Sequence, residues 1–130
     1  MSKSHAATPG EVIEFFCSDP YPTLGQPTNF IIIVEGNAGR RVNQTLIITD
    51  EFAGFVSVAG EMKWVTGTVM IGEMNISIGK VPRYIKKIPW YPSVVGNHTI
   101  SVTTATSIST PLNVSVGFDG EGIIVPSLGA

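Results

Sequence analysis

The feature that most limits this chain is how its apolar residues recur. They fall at every second position in short runs broken by glycine or proline, and no segment carries a 3.6-residue apolar period. His98-Thr99-Ile100-Ser101-Val102-Thr103 alternates cleanly, as does Leu112-Asn113-Val114-Ser115-Val116. Val12–Cys17 and Thr28–Glu35 read as strands, followed by residues 42–49, 55–59, 62–69, 74–78 and a last strand at 123–126 stopped by Pro126. Composition agrees: valine, isoleucine and threonine make 41 of 130 residues, against 11 leucines and alanines. β-Branched side chains are stiff at χ1 and suit a pleated surface better than a helix.

This length builds one core. The reading is an all-β, antiparallel sandwich of about seven to nine strands over residues 11–130, preceded by a flexible tail at 1–10. Phe30, Ile32, Val34, Ile47, Ile76, Ile100, Val102, Leu112, Val114 and Val116 are its expected core. In the second strand Ile31 and Ile33 lie opposite Phe30, Ile32 and Val34, so that strand is central and covered on both faces, or packs against a partner. Gly36-Asn37-Ala38-Gly39 reads as a hairpin turn, residues 80–92 with three prolines as irregular, and Trp64 as core.

Two stretches carry a resemblance. Pro22, Gly25 and Pro27, spaced Pro-x-x-Gly-x-Pro before a hydrophobic strand, resemble the first loop of immunoglobulin-like domains. Gly96-Asn97-His98-Thr99-Ile100-Ser101-Val102 is similar to a strand start of fibronectin-III-like and cell-adhesion-related bacterial and archaeal sandwiches. The resemblance spans about residues 20–117 and implies a fold, not an activity. The cysteine pair of antibody domains is missing.

Net charge is −2 and the pI near 5.6, so no basic field exists to attract nucleic acid. The longest apolar run, residues 30–34, is far too short for a membrane span. The N-terminal decapeptide is polar and shows no signal peptide. That leaves export within an assembly such as a virion, a leader removed before Met1, or no use of the general secretory route. Cys17, between Phe16 and Ser18, reads as a small buried hydrophobe.

Catalytic patterns are lacking. His5 and His98 are distant, and His98, in phase with Ile100 and Val102, reads as a packed structural histidine. Two histidines and one cysteine without metal-site spacing make no zinc site, and no cofactor is expected. The adjacent acids Asp50-Glu51 and Asp119-Gly120-Glu121 read as turn residues, with oxygen ligation of calcium as the sharper alternative.

Three features bear on binding. Asn43, Asn75, Asn97 and Asn113 begin Asn-x-Ser/Thr sequons, open both to glycosylation and to a plainer reading as the polar outer face of strands. Lys80, Arg83, Tyr84, Lys86, Lys87, Trp90 and Tyr91 concentrate half of the basic residues among aromatics. They form either a partner-contact patch or an edge strand whose lysines block pairing. Ile123, Ile124 and Val125 read as an apolar tail able to add to a neighbour's sheet edge or to close its own.

The function expected is a non-enzymatic structural or interaction module: a repeated component of a virion shell, decoration or turret, or of a surface filament or layer. Its partners would be copies of itself or other coat and surface proteins, with glycans. The alternative is a carbohydrate-binding module stacking sugars on Trp64, Trp90 and Tyr91. A small enzyme built on Asp50, Glu51 and His98 is the remote third.

Overall fold

The computed structural model describes residues 7–118. Seven strands run β1 (Val12–Cys17), β2 (Thr28–Glu35), β3 (Val42–Val58), β4 (Glu61–Ile78), β5 (Arg83–Trp90), β6 (Val95–Thr103) and β7 (Leu112–Val116), and no helix is present among the described residues. They form a three-stranded sheet ordered β1-β2-β5 and a four-stranded sheet ordered β4-β3-β6-β7, with antiparallel pairing throughout. The two sheets face each other as a sandwich. The constant-type immunoglobulin arrangement places the fourth strand beside the fifth; here β4 stays paired to β3.

The core is built by alternation from both inner faces. Phe30, Ile32 and Val34 of β2 meet Leu46 and Ile48 of β3, Ile76 and Ile78 of β4, Ile100 and Val102 of β6, and Val114 and Val116 of β7. Phe15 packs tilted against Phe30 at 5.5 Å between ring centroids, Trp90 stacks on Phe30 at 5.3 Å, and Trp90 meets the His98 ring edge-on at 5.2 Å. This aromatic column ties the two sheets together. Cys17 is half-buried against the same core, and burial raises its thiol pKa.

Several expectations are corrected. Ile47 is half-buried and faces outward, because the inward parity of β3 belongs to Leu46 and Ile48; Leu112 is likewise half-buried at the core's margin. Residues 36–39 are not a hairpin. β2 already has β1 and β5 on its two sides, so the chain crosses to the other sheet, with Asn37 Oδ1 accepting from the Gly39 amide at 2.7 Å. Residues 42–49 and 55–58 belong to one strand, as do 62–69 and 74–78, and the two strands are joined by a two-residue turn at Ala59-Gly60, so the expected strand 55–59 loses its last residue to the turn. Both turn residues have positive φ (52° and 83°), the primed geometry that matches the twist of a hairpin. Residues 83–90 are not irregular: they are β5, an edge strand where Pro89 forfeits no bond the sheet needs.

Inside the β3–β6 ladder Gly54 lies opposite Gly96. A Cβ on Gly54 would collide with the Val95 carbonyl oxygen, so only glycine permits this approach.

Candidate interaction surfaces

The β3–β4 hairpin is the longest element of the fold and the least covered. β3 pairs with β6 only as far as Phe55, and beyond it Val56–Val58 have only β4 beside them. β4 is an edge along its whole length: among the described residues, nothing pairs with its outer side. The opposite edge of the same sheet is treated differently. Residues 20–24 run alongside β7, with the Ser115 amide donating to the Pro20 carbonyl at 2.9 Å and the Leu24 amide to the Gly117 carbonyl at 2.8 Å.

The outer face of this hairpin carries exposed apolar groups. Trp64 is 60% exposed, Met70 57%, Met62 47% and Phe55 39%. Phe55 and Trp64 sit directly opposite in the ladder and meet edge-on at 5.0 Å. Trp64 is therefore not core. Its parity on β4 places it outside, while Gly67 and Val65 take the inward positions beside Phe52 and Gly54.

The four sequons fall into two reciprocal squares. Asn43 faces Ser77 and Thr45 faces Asn75 across β3–β4; Asn97 faces Ser115 and Thr99 faces Asn113 across β6–β7. In each square one asparagine accepts from a cross-strand hydroxyl: Asn75 Oδ1 from Thr45 at 2.6 Å, Asn97 Oδ1 from Ser115 at 3.2 Å. All four asparagines are exposed on the outer face of the four-stranded sheet. Antiparallel register turns an i, i+2 pattern on two neighbouring strands into hydrogen-bonded pairs. This accounts for the clustering of the sequons without reference to glycans.

The basic segment is divided by strand alternation. Arg83 and Lys87 project outward, with Arg83 Nε 4.0 Å from Glu35 Oε1. Tyr84 and Trp90 turn inward against the core, Lys86 takes the same inward parity opposite Ile32, and only Tyr91, beyond the strand, is a well-exposed aromatic. Lys80 lies in the preceding connection. Trp90, turned inward, thus offers no stacking face beside Trp64 and Tyr91. Ile123, Ile124, Val125 and the acids Asp119 and Glu121 lie outside the described residues, as does His5.

Asp50 is no turn residue. It sits mid-β3 on the inward parity of Leu46 and Ile48, 4% exposed, while Glu51 points to solvent. His98, on β6 with Ile100 and Val102, directs Nδ1 at both Asp50 oxygens (2.9 and 2.8 Å) and Nε2 at the Val94 carbonyl (2.7 Å). Both ring nitrogens face acceptors, so the doubly protonated ring satisfies the site. Burial by itself lowers the imidazole pKa. The bond to Asp50, the Val94 carbonyl and the Asp50 charge together outweigh burial and raise the pKa above its ordinary 6.5. The even-numbered phase of Asp50 with Leu46 and Ile48 is the sequence signal for this pair, and it overrides the turn chemistry that adjacent acids suggest. Among the described residues no three His, Cys, Asp or Glu side chains cluster as metal ligands.

Two facing antiparallel sheets of three and four strands define an immunoglobulin-like β-sandwich. Solved structures share this fold. One is a CARDB domain from Pyrococcus furiosus in complex with di-metal ions, with TM-score 0.54 and 12% identity, covering 86% of this chain and 100% of that one. Another is the cycloisomaltooligosaccharide glucanotransferase of a Paenibacillus species, complexed with cycloisomaltoheptaose, with TM-score 0.54 and 10% identity over 85% of this chain. This chain spans 14% of that enzyme's length. At such identities the likeness is one of fold alone. No protein-family model and no curated protein matches the sequence.

Proposed function

We propose that this chain is a non-enzymatic interaction module, a repeated component of an assembly outside the cell such as a virion shell or decoration layer or a surface filament. One observation carries the reading: an uncovered 18-residue edge strand whose outer face presents Trp64, Met62 and Met70 beside Phe55. Exposed aromatic and methionine side chains gathered on one element are what a partner's surface buries. The polar outer face of neutral amides and hydroxyls suits the same setting. The best-formed acid–base pair, Asp50–His98, is enclosed and engaged in structural bonds, which supports a role without chemistry. Partners would be further copies of the chain or neighbouring coat or surface proteins.

Native material fractionated by density gradient tests this. The chain is expected to co-sediment with particles or filaments. A Met62→Glu/Trp64→Glu variant should keep its fold, both side chains being exposed, and lose incorporation. A chain found only as free protein in native material, or a variant that incorporates normally, would remove the reading.

A further inference from the structure

β2 is isoleucine-rich on both faces, and only one of them is used by the core. On the outer face, cross-strand register lays out a small grid: Glu14, Ile33 and Ile85 form one row, and Phe16, Ile31 and Lys87 the next. Ile31 and Ile33 are half-buried at its centre. Phe16 (41% exposed) and Ile85 (65%) occupy two opposite corners, and Glu14 and Lys87, both exposed, occupy the other two. Among the described residues no segment covers this face, and neither Glu14 nor Lys87 has an ion-pair partner.

The geometry points to a second copy of this chain as the occupant, docked face to face about a two-fold axis. The reason is the placement of the charges. Strand spacing of about 4.8 Å and a two-residue repeat of about 6.8 Å put Glu14 and Lys87 roughly 12 Å apart, too far to pair within one copy. A two-fold axis lying in the contact plane near the Phe16–Ile85 diagonal exchanges these two corners. Glu14 of each copy then falls within about 4 Å, in projection, of Lys87 of the other, a gap the lysine stem spans. Phe16 and Ile85 meet their own counterparts near the axis, and Ile31 and Ile33 fill the middle. An isologous contact must be self-complementary in this way. The strands of the two stacked sheets then cross near a right angle, an established sheet-on-sheet geometry.

The contact is small. Three strands span roughly 14 Å across, so with the strands of the two sheets crossed the shared area is about 14 by 14 Å and the pair buries on the order of 400 Å² in total, well below the roughly 1,200 Å² of stable complexes. The dimer is therefore a weak one, suited to copies already concentrated in an array. It lies on the sheet opposite the β3–β4 hairpin and does not depend on that surface.

Sedimentation velocity on the full chain, from about 10 μM to about 1 mM, tests it in a concentration range that reads weak association. A concentration-dependent dimer is expected. Glu14→Lys and Lys87→Glu should each weaken it roughly tenfold or more, and the double swap should restore it, because the pair is re-formed with reversed sign. Ile124→Glu, in the C-terminal segment, should leave association unchanged. Three results would overturn the proposal. The wild type could stay monomeric throughout, as it would if Ile124→Glu alone produced a dimer because the chain's own tail had occupied the face. The double swap could fail to restore a dimer that each single swap lost. Or the dimer could survive both single swaps and vanish in Trp64→Glu, which would assign it to the hairpin while leaving the function proposed above intact.

Discussion

Replacing Asp50 by alanine would remove the carboxylate from a pair in which the two side chains are 5% and 1% exposed and 2.8 Å apart. The cost does not lie in the lost attraction alone, since two buried charges have each already given up water. It lies in what remains: an imidazole with Nδ1 facing a cavity, enclosed by Trp90 and Phe52. Removing one partner of a buried pair costs about 3–5 kcal/mol. In a domain of this size that is a fall in Tm of roughly 10–20 °C. Asp50→Asn, which keeps the volume, should recover part of it, and Glu51→Ala one position along should stay within about 0.5 kcal/mol because Glu51 faces solvent. The pH dependence has a definite sign. The folded-state pKa of His98 is raised above 6.5, so the pair's contribution is fully present below that value and is lost as pH rises through the folded pKa. Wild-type Tm should decline as pH rises above 6.5, and the Asp50→Ala variant should lose that decline. Thermal melts followed by circular dichroism from about pH 5.5 to about pH 9 would measure both. An Asp50→Ala penalty below about 1 kcal/mol, or a wild-type Tm flat across that range, would refute the ion-pair assignment.

Three further outcomes are expected. Ile32→Ala should cost about 2–5 kcal/mol in denaturant unfolding, whereas Ile47→Ala on the outer face should cost well under half of that; equal costs would contradict the β3 parity. Gly54→Ala should destabilise by more than about 1 kcal/mol, since its methyl meets the Val95 carbonyl oxygen, and a crystal structure showing an unshifted β3–β6 ladder would disprove that clash. Thr45→Val should cost about 0.5–1.5 kcal/mol through loss of the bond to Asn75, and a neutral effect in thermal melts would reduce the sequon square to coincidence.

Alternation and punctuation determined much of this protein in one dimension. β-Branched residues at a period of two require strands, and the in–out phase of β2, β6 and β7 follows from the same period, which is why Phe30, Ile32, Val34, Ile100, Val102, Val114 and Val116 could be placed inside. The class of sandwich and the dual apolar character of β2 were legible for the same reason. Pairing was not, because a strand's pattern states which face is apolar and is silent on its neighbour. The crossing at residues 36–41 looks locally like a hairpin, and only the occupied edges of β2 forbid one. Trp64 is a large hydrophobe that its size alone would send inward, yet its register opposite Phe55 gives it outward parity on β4, an edge strand with nothing beyond it among the described residues. Asp50 and His98 are 48 positions apart and acquire their charge state from each other. Glu14 and Lys87 take up opposite corners of one face only because β1 and β5 flank the same strand. Each of these is a relation between distant segments, and such relations come into being only when the sheets form.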